Sequence, residues 1–585
     1  MSELMTNVDT FWLHMDQPTN LMILTAIKEF DELLDFAEVQ ELIEQRLLVL
    51  DRFTKRIVKP ISGVGLPTWE LDPTFDIRSH LHRIALPSPG NKEALQEMIS
   101  DLTSIPMDRT KPLWQMYLIE NYNDGCALFV KIHQSIADCI SLINLLFSLT
   151  DTQKDLTQQD NFPVKSELKG SQNEGAVKKN IKEAVRIAGQ VGKILTKECI
   201  ESISNPLHLM DLARLSTGFA FDYAGILTRL MIMPPDPKTS LKGPLSIRKN
   251  IVWSEPIDLS DVKIVCKSVN ASINDVLIST VSGALRRYLQ KCNDKVNELD
   301  LRVAIPLNNR RPGLENEQGN RFSIIFLSLP IHVEDPVIRI REVKRRMGDI
   351  KSSPDAIVGF QALNALGVSP SNLAKRAGHF LANKSTAMLA NVPGPKNTLF
   401  FAGKEIKNIM FWVPRVGQIG HGISIISYNE NVAIGIATDA SLVSDPEELL
   451  QNFYDELNLV VDLAKSGKMD SDPLIINDIR DMKSDSVEGN NYEHEPIFFQ
   501  SLTDTGISEA VNDNMNELEK NNYNEVISDD YVEESEEEVP PAQCLALTKS
   551  GTRCKNLALT DSVYCRLHDN MAKKREIPTV NLLED

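Results

Sequence analysis

The stretch KIHQSIADCISLINLL, residues 131–146, passes from a β-prone run into an apolar helix and places His133, Gln134, Asp138 and Cys139 at the junction. Just upstream, QMYLIE and CALFVKI flank NYNDG, so residues 115–132 are expected to form a β-hairpin about that turn. His133 then stands at a strand end. Beyond Asp138, Leu142, Ile143, Leu146 and Leu149 recur at helical spacing. The stretch therefore reads as strand, short loop and helix N-terminus, a setting in which a scaffold presents reactive side chains.

Outward from this point, residues 151–175 are polar and rich in Gln, Lys and Asp, a linker by composition. Helical segments are expected from there to Met233, ending at MPPDP. Beyond GPLSIR a second α/β unit is expected. Its strongest helix is ASINDVLISTVSGALRRYLQKC, with apolar pairs at 276/277, 280/281, 284/285 and 288/289. LRVAIPL, FSIIFLSLPI, ISIISY and VAIGIATD read as strands. The fold class is α/β, with two halves joined by a helical crossover.

At 585 residues the chain exceeds a single core. Its net charge of -19 is concentrated: residues 469–538 hold 21 acidic and 3 basic residues, which leaves the preceding body close to neutral. That segment has few large apolar residues and is expected to be a disordered acidic linker. The start of the sequence, with Glu3, Asp9 and Asp16, lacks the basic, then apolar pattern of a secretory signal, so a cytoplasmic location is expected. The apolar run from Phe219 is broken by Asp222 and Arg229 and is shorter than the ~20 residues of a membrane span. A peripheral contact with a membrane or lipid-droplet surface stays open. Cys126, Cys139, Cys199, Cys266 and Cys292 show no framework spacing and read as reduced thiols.

Several segments, in order, resemble the family of bifunctional wax ester synthases/diacylglycerol acyltransferases. They are VDTFWLHMDQPTNLM, PTWELDPTFDIRSHLHRIALPSPG, IPMDRTKPLWQMYLIE, SINDVLISTVSGALRRYL and NVPGP at 391–395, and the resemblance covers roughly residues 4–465. It implies two domains resembling chloramphenicol acetyltransferase, the CoA-dependent acyltransferase fold, with the active site at their interface. Long-chain acyl-CoA is the implied donor, and diacylglycerol or a fatty alcohol the acceptor. On this reading residues 1–175 are the N-terminal acyltransferase domain, 176–240 the crossover and 241–468 the C-terminal domain. The acidic linker takes 469–541, a zinc module 542–570 and a tail 571–585.

The acceptor hydroxyl is a poor nucleophile at neutral pH, and a base must take its proton as the ester bond forms. In the family that base is the second His of H-H-x-x-x-D-G, which falls here on Gln134, while Cys139 stands at the Gly. A carboxamide cannot hold a transferred proton near pH 7. The family reading makes His133, Gln134, Asp138 and Asn274 the catalytic candidates, with Pro112, Leu113, Trp114 and Asp275 binding substrate. Each has a plainer reading: a satisfied buried histidine for His133, a helix cap or ion pair for Asp138, a helix cap for Asn274 and Asp275, and core packing for 112–114. Two functions follow: an O-acyltransferase with a degenerate motif, or a non-catalytic descendant that binds acyl chains or CoA or acts as a scaffold.

Near the C-terminus Cys544, Cys554, Cys565 and His568 lie within 25 residues. Three thiolates and an imidazole suit a structural tetrahedral zinc, and so short a segment needs a staple to fold. Lys573, Lys574 and Arg575 invite a nucleic-acid reading, but the acidic segment upstream would repel phosphate, so a protein partner is the better expectation for the tail.

Overall fold

A computed structural model of the chain describes residues 2–60, 65–153, 233–308, 320, 322–351, 366–367 and 371–470. Most of the expected crossover, nearly all of the acidic linker and the whole proposed zinc module, with Cys544, Cys554, Cys565 and His568, lie outside the described residues.

The first half runs β1 (Glu3–Leu4), α1 (Asn7–Met15), β2 (Ile23–Phe30), α2 (Phe36–Arg46), β3 (Lys55–Val58), β4 (Thr68–Leu71), β5 (Leu81–Ala85), α3 (Lys92–Ser104), β6 (Trp114–Tyr122), β7 (Gly125–His133) and α4 (Cys139–Ser148). The second runs β8 (Lys249–Trp253), β9 (Ile257–Asp258), α5 (Leu259–Val269), α6 (Ile273–Lys291), β10 (Leu301–Asn308), β11 (Phe322–Leu329), α7 (Pro336–Lys351) and α8 (Ser371–Ala382). It continues through β12 (Ala387–Pro393), β13 (Phe400–Phe401), β14 (Lys404–Glu405), β15 (Asn408–Trp412), β16 (His421–Tyr428), β17 (Asn431–Asp439) and α9 (Pro446–Lys465). The hairpin expected about NYNDG is β6–β7, with Asn121 and Asn123 in the left-handed conformation that asparagine tolerates. All four strands expected in the second half form.

Five strands make the first sheet, in the order β15-β2-β7-β6-β5. The second follows β11-β10-β12-β16-β17-β8, with β9 also paired to β17. The edge strand β15 is the surprise: it belongs to the second half by sequence, yet Trp412 pairs with Thr25 and Asn408 with Glu29 of β2. Nothing in the NIMFW pattern distinguishes a strand that stays from one that crosses: β15 is buried throughout, and β16 and β17 of the second sheet are nearly so.

Side-chain alternation explains how the sheets meet. On the second sheet Val303, Ile305, Leu389, Ile423, Ile425, Ile434 and Ile436 pack into a core with α5, α6 and α9. The intervening Ala304, Met388, Ala390, Ala433 and Ala437 join the core of the first sheet. Successive residues of a strand point to opposite faces, so bulky residues face the sheet's own helices and mostly small ones face the other half. Two buried lysines of the first sheet secure helix ends. Lys28 Nζ donates to Leu146 O of α4 at 2.8 Å, and Lys131 Nζ donates to Leu102 O and Ile105 O at the end of α3 at 2.7 and 2.8 Å. Each ammonium meets carbonyls of a helix's last turn, where acceptor capacity is left over, and the negative end of the helix dipole. Among the described residues no helix is long and apolar enough to cross a membrane.

Candidate functional site

β7 delivers the His133 loop to the seam between the halves. His133 is the last ladder residue, paired with Ile23, and its N–H donates to Leu113 O at 3.0 Å; Gln134 N–H donates to Met22 O at 2.7 Å. Four residues later Asp138 is the N-cap of α4, its carboxylate accepting from Ser141 N–H at 2.9 Å. Cys139 is the buried first residue of that helix. The capping role expected for Asp138 is thus present, since a carboxylate there satisfies an orphan N–H and favours the positive helix end.

His133 is buried and its imidazole is hydrogen-bonded through Nδ1, while Nε2 has no hydrogen bond among the described residues. Nδ1 accepts from Ser135 N–H at 3.1 Å and lies 2.7 Å from Ser135 Oγ, while Nε2 faces Asp16 Oδ2 at 3.6 Å. The backbone donor places the neutral ring's proton on Nε2, toward Asp16. No lone pair is then left to take a proton from an acceptor hydroxyl. Burial opposes the charge on Asp16, but His133, the Met22 N–H at 2.8 Å and Arg109 outweigh it and hold the carboxyl at about 2. The Asp16–Arg109 ion pair joins two of the segments that carried the resemblance.

Gln134 sits in a buried network that crosses between the halves. Its backbone carbonyl accepts from Asn320 Nδ2 at 2.9 Å, and its Nε2 lies 3.4 Å from Asn320 Oδ1. Asn320 donates both its backbone N–H and its carboxamide to Asp9 Oδ1, at 3.1 and 2.7 Å. Asp9 Oδ2 pairs with Arg52 at 3.2 Å, and the same Arg52 Nη1 donates to Ile136 O of the loop at 2.6 Å. Burial pushes the Asp9 carboxyl up against the pull of Arg52 and Asn320. One acceptor has no partner: Gln134 Oε1 is buried without a hydrogen bond among the described residues.

The remaining sequence candidates divide. Asn274 is buried on α6, and its Oδ1 accepts from Asn391 Nδ2 of β12 at 2.9 Å, uniting the Asn-Asp helix with NVPGP. Asp275 closes a capping box with Ser272, which is the N-cap in place of Asn274. Pro112, Leu113 and Trp114 are buried where β6 starts, with Trp114 Nε1 donating to Phe53 O at 2.8 Å and its ring stacked on His80 at 4.7 Å. Asp9, Asp16, Arg52, Arg109, Asn320 and Asn391 were not singled out from sequence. Asp9, Asp16, Arg109 and Asn391 lie within the resembling segments, which was the available signal; Arg52 and Asn320 carried none.

Comparisons with known proteins come to the same place. A model of the wax ester synthase/diacylglycerol acyltransferase catalytic domain matches residues 5–277, and one of the family's C-terminal domain matches 318–460. The chain is 26% identical over 433 residues to a probable diacylglycerol O-acyltransferase of Mycobacterium tuberculosis, covering 73% of this chain and 88% of that one. It is 26% identical over 401 residues to an O-acyltransferase of Acinetobacter baylyi, covering 67% and 82%. Among solved structures, the wax ester synthase/diacylglycerol acyltransferase of Marinobacter aquaeolei VT8 superposes with a TM-score of 0.56 at 20% identity over 79% of this chain and all of that one. The first condensation domain of the CDA synthetase, similar at a TM-score of 0.51 and 12% identity over 79% of this chain and 96% of that one, shares the fold.

Proposed function

The chain belongs to the wax ester synthase/diacylglycerol acyltransferase family, and we propose that it transfers a long-chain acyl group from acyl-CoA to the hydroxyl of diacylglycerol or a fatty alcohol. The alcohol oxygen adds to the thioester carbonyl, the C–S bond breaks, and the hydroxyl proton ends on the CoA sulfur. The observation that supports this reading is the free Oε1 of Gln134 at the family's base position, an acceptor aimed by Asn320, Asp9 and Arg52. Such a group orients the hydroxyl by a hydrogen bond without holding its proton, so positioning supplies the acceleration and general-base catalysis is forfeited. His133 acts through Ser135 and Asp16 to fix the loop. Asn274, held by Asn391, orients the donor side, and residues 112–114 shape the acyl channel from within the core.

The test is CoA release from long-chain acyl-CoA with hexadecanol or diacylglycerol. A wild-type chain that is active and a Gln134→His variant that gains strongly support the reading. The second reading, an acyl- or CoA-binding protein without turnover, is favoured by the loss of the base and by the Ser135 N–H that occupies Nδ1 of His133. It stands if wild type, Gln134→His and Gln134→His with Cys139→Gly are all inactive while calorimetry detects acyl-CoA binding.

The tail belongs to the same proposal. Cys544, Cys554, Cys565 and His568 hold one structural zinc and present a protein-binding module, while the body acts in the cytoplasm at a lipid-droplet or membrane surface. Metal analysis giving one zinc per chain, lost when the three cysteines become serine, supports the module; a chain free of zinc rejects it.

A further inference from the structure

A second polar site lies on the His133 face of the first sheet. Ile23 is directly opposite His133 and Thr25 opposite Lys131, so these four side chains share one face. Ile23 and Thr25 also line a cavity completed by Thr103 at the end of α3, Lys249 of β8, Trp412 of β15 and Arg415 just beyond it. Its charged lining residues are both cations, Lys249 and Arg415, and no carboxylate lines it.

The charges behind this wall do not balance. Lys249 is ion-paired with the buried Asp439, whose oxygens also accept from Ser246 and Ser441. One carboxylate therefore answers two cations. His421, close enough to feel both, adds no charge: burial, opposed by the Leu241 carbonyl at 2.8 Å and aided by Arg415, brings it down to about 4. Arg415 is only 6% exposed, and its Nε has no hydrogen-bond partner among the described residues. The same is true of Thr103 Oγ1, 9% exposed across the same cavity. A guanidinium stays protonated even when buried, and its planar fork matches two oxygens of a carboxylate or phosphate. Two donors without partners and a cation in excess of the carboxylate thus line one cavity, the complement of an oxyanion.

We propose that this cavity binds one oxyanion group, a carboxylate or a phosphate, held by Arg415 with the Thr103 hydroxyl as second donor and Lys249 as supporting charge. Resting on the acyl-transfer reading, the oxyanion has two sources: a phosphate of CoA, or the carboxylate of a free fatty acid, the hydrolysis product of the donor. The site then lies beside the reaction and answers to donor or to product.

Calorimetry of the full chain at fixed ionic strength with inorganic phosphate, CoA and octanoate separates these sources. We expect saturable binding of at least one, weakened ten-fold or more by Arg415→Gln and several-fold by Thr103→Val. CoA affected and octanoate indifferent identifies the donor; the reverse identifies the fatty acid. The proposal is overturned if none of the three binds, or if affinity is unchanged in Thr103→Val and in Arg415→Gln. Should Arg415→Gln fail to fold, Thr103→Val and displacement of CoA or octanoate by phosphate decide alone: neither effect seen, the site is rejected. The CoA-release assay on the same proteins keeps the readings apart. Turnover without oxyanion binding removes this site only, whereas oxyanion binding with no turnover in wild type or Gln134→His removes the acyl-transfer reading only.

Discussion

Asp9–Arg52 and Lys249–Asp439–Arg415 are both buried ionic groups, yet they are built differently. In the first, Arg52 meets the carboxylate of Asp9 at 3.2 Å and that of Glu3 at 3.9 Å, and further bonds go from Asn320 to Asp9 and from Arg52 to the carbonyl of Ile136. In the second, one carboxylate serves two cations; Arg415 Nε and Arg52 Nε alike lack a hydrogen bond among the described residues, so the contrast lies in the charges. A balanced pair holds a loop in place. An unbalanced cluster carries a standing cost that a ligand can relieve, and charge count separates the two where burial alone does not.

The largest expected effect sharpens the first half of the contrast. Because the Asp9 network aims residue 134 rather than doing chemistry itself, Gln134→His should place an imidazole on an already prepared mount. Acyl transfer should rise by a sizeable part of the ~10²–10⁴ that a general base contributes. CoA release measured under single-turnover conditions checks this, and an equally slow variant would mean the mount is not a catalytic one.

Next comes stability. Arg52→Met leaves Asp9 buried and unpaired and should cost about 3–5 kcal/mol in urea unfolding, whereas Arg415→Leu removes an uncompensated charge and should cost less than ~1 kcal/mol or stabilise. Equal losses in the two variants would erase the distinction between the clusters.

A smaller effect is read in pH. Asp9, in the first turn of α1, and Asp16, its C-cap, have opposite shifts. Asp16 is held at about 2, below its ordinary value of 3.8, so its contribution is complete above pH 4 and disappears as pH falls through about 2. Asp9 is raised, so the native state binds the extra proton and stability declines as pH climbs from 3.8 through the folded value. Asp16→Asn should therefore cost about 2 kcal/mol near neutrality and nothing below pH 2, while Asp9→Asn should flatten the opposing slope. Unfolding curves across pH 2–7 test both signs. Smallest is Ser272→Ala, which opens the capping box beneath Asn274 and should cost about 1 kcal/mol by thermal unfolding, with no change in pH dependence.

The legible parts of the molecule were those set by local pattern. Alternation in FSIIFLSL and the periodicity of INDVLISTVSGALRRYLQK mark their elements because burial imposes period two or 3.6 directly on the residue order. The His133 junction was legible for the same reason, as was the capping of α4 by Asp138. Partners distant in sequence were not. Asn320 reaches Gln134, and Arg415 reaches the face of β2, only through the meeting of the two sheets. Position within a motif also misled on one detail: Asn274 is not the helix cap, because Ser272 supplies the hydroxyl and Asp275 returns the bond.

The crossing strand has a consequence for synthesis. β2 is made early and gains β7 on one side, but its other edge waits for β15. At roughly 5–20 residues per second, the ~400 residues between them leave that edge open on the ribosome for on the order of 20–80 s. An exposed edge recruits any passing strand. A fragment ending before Asn408 should therefore aggregate as it is translated, and a chaperone that shields strand edges should raise the yield of the full chain far more than it changes the stability of the finished fold.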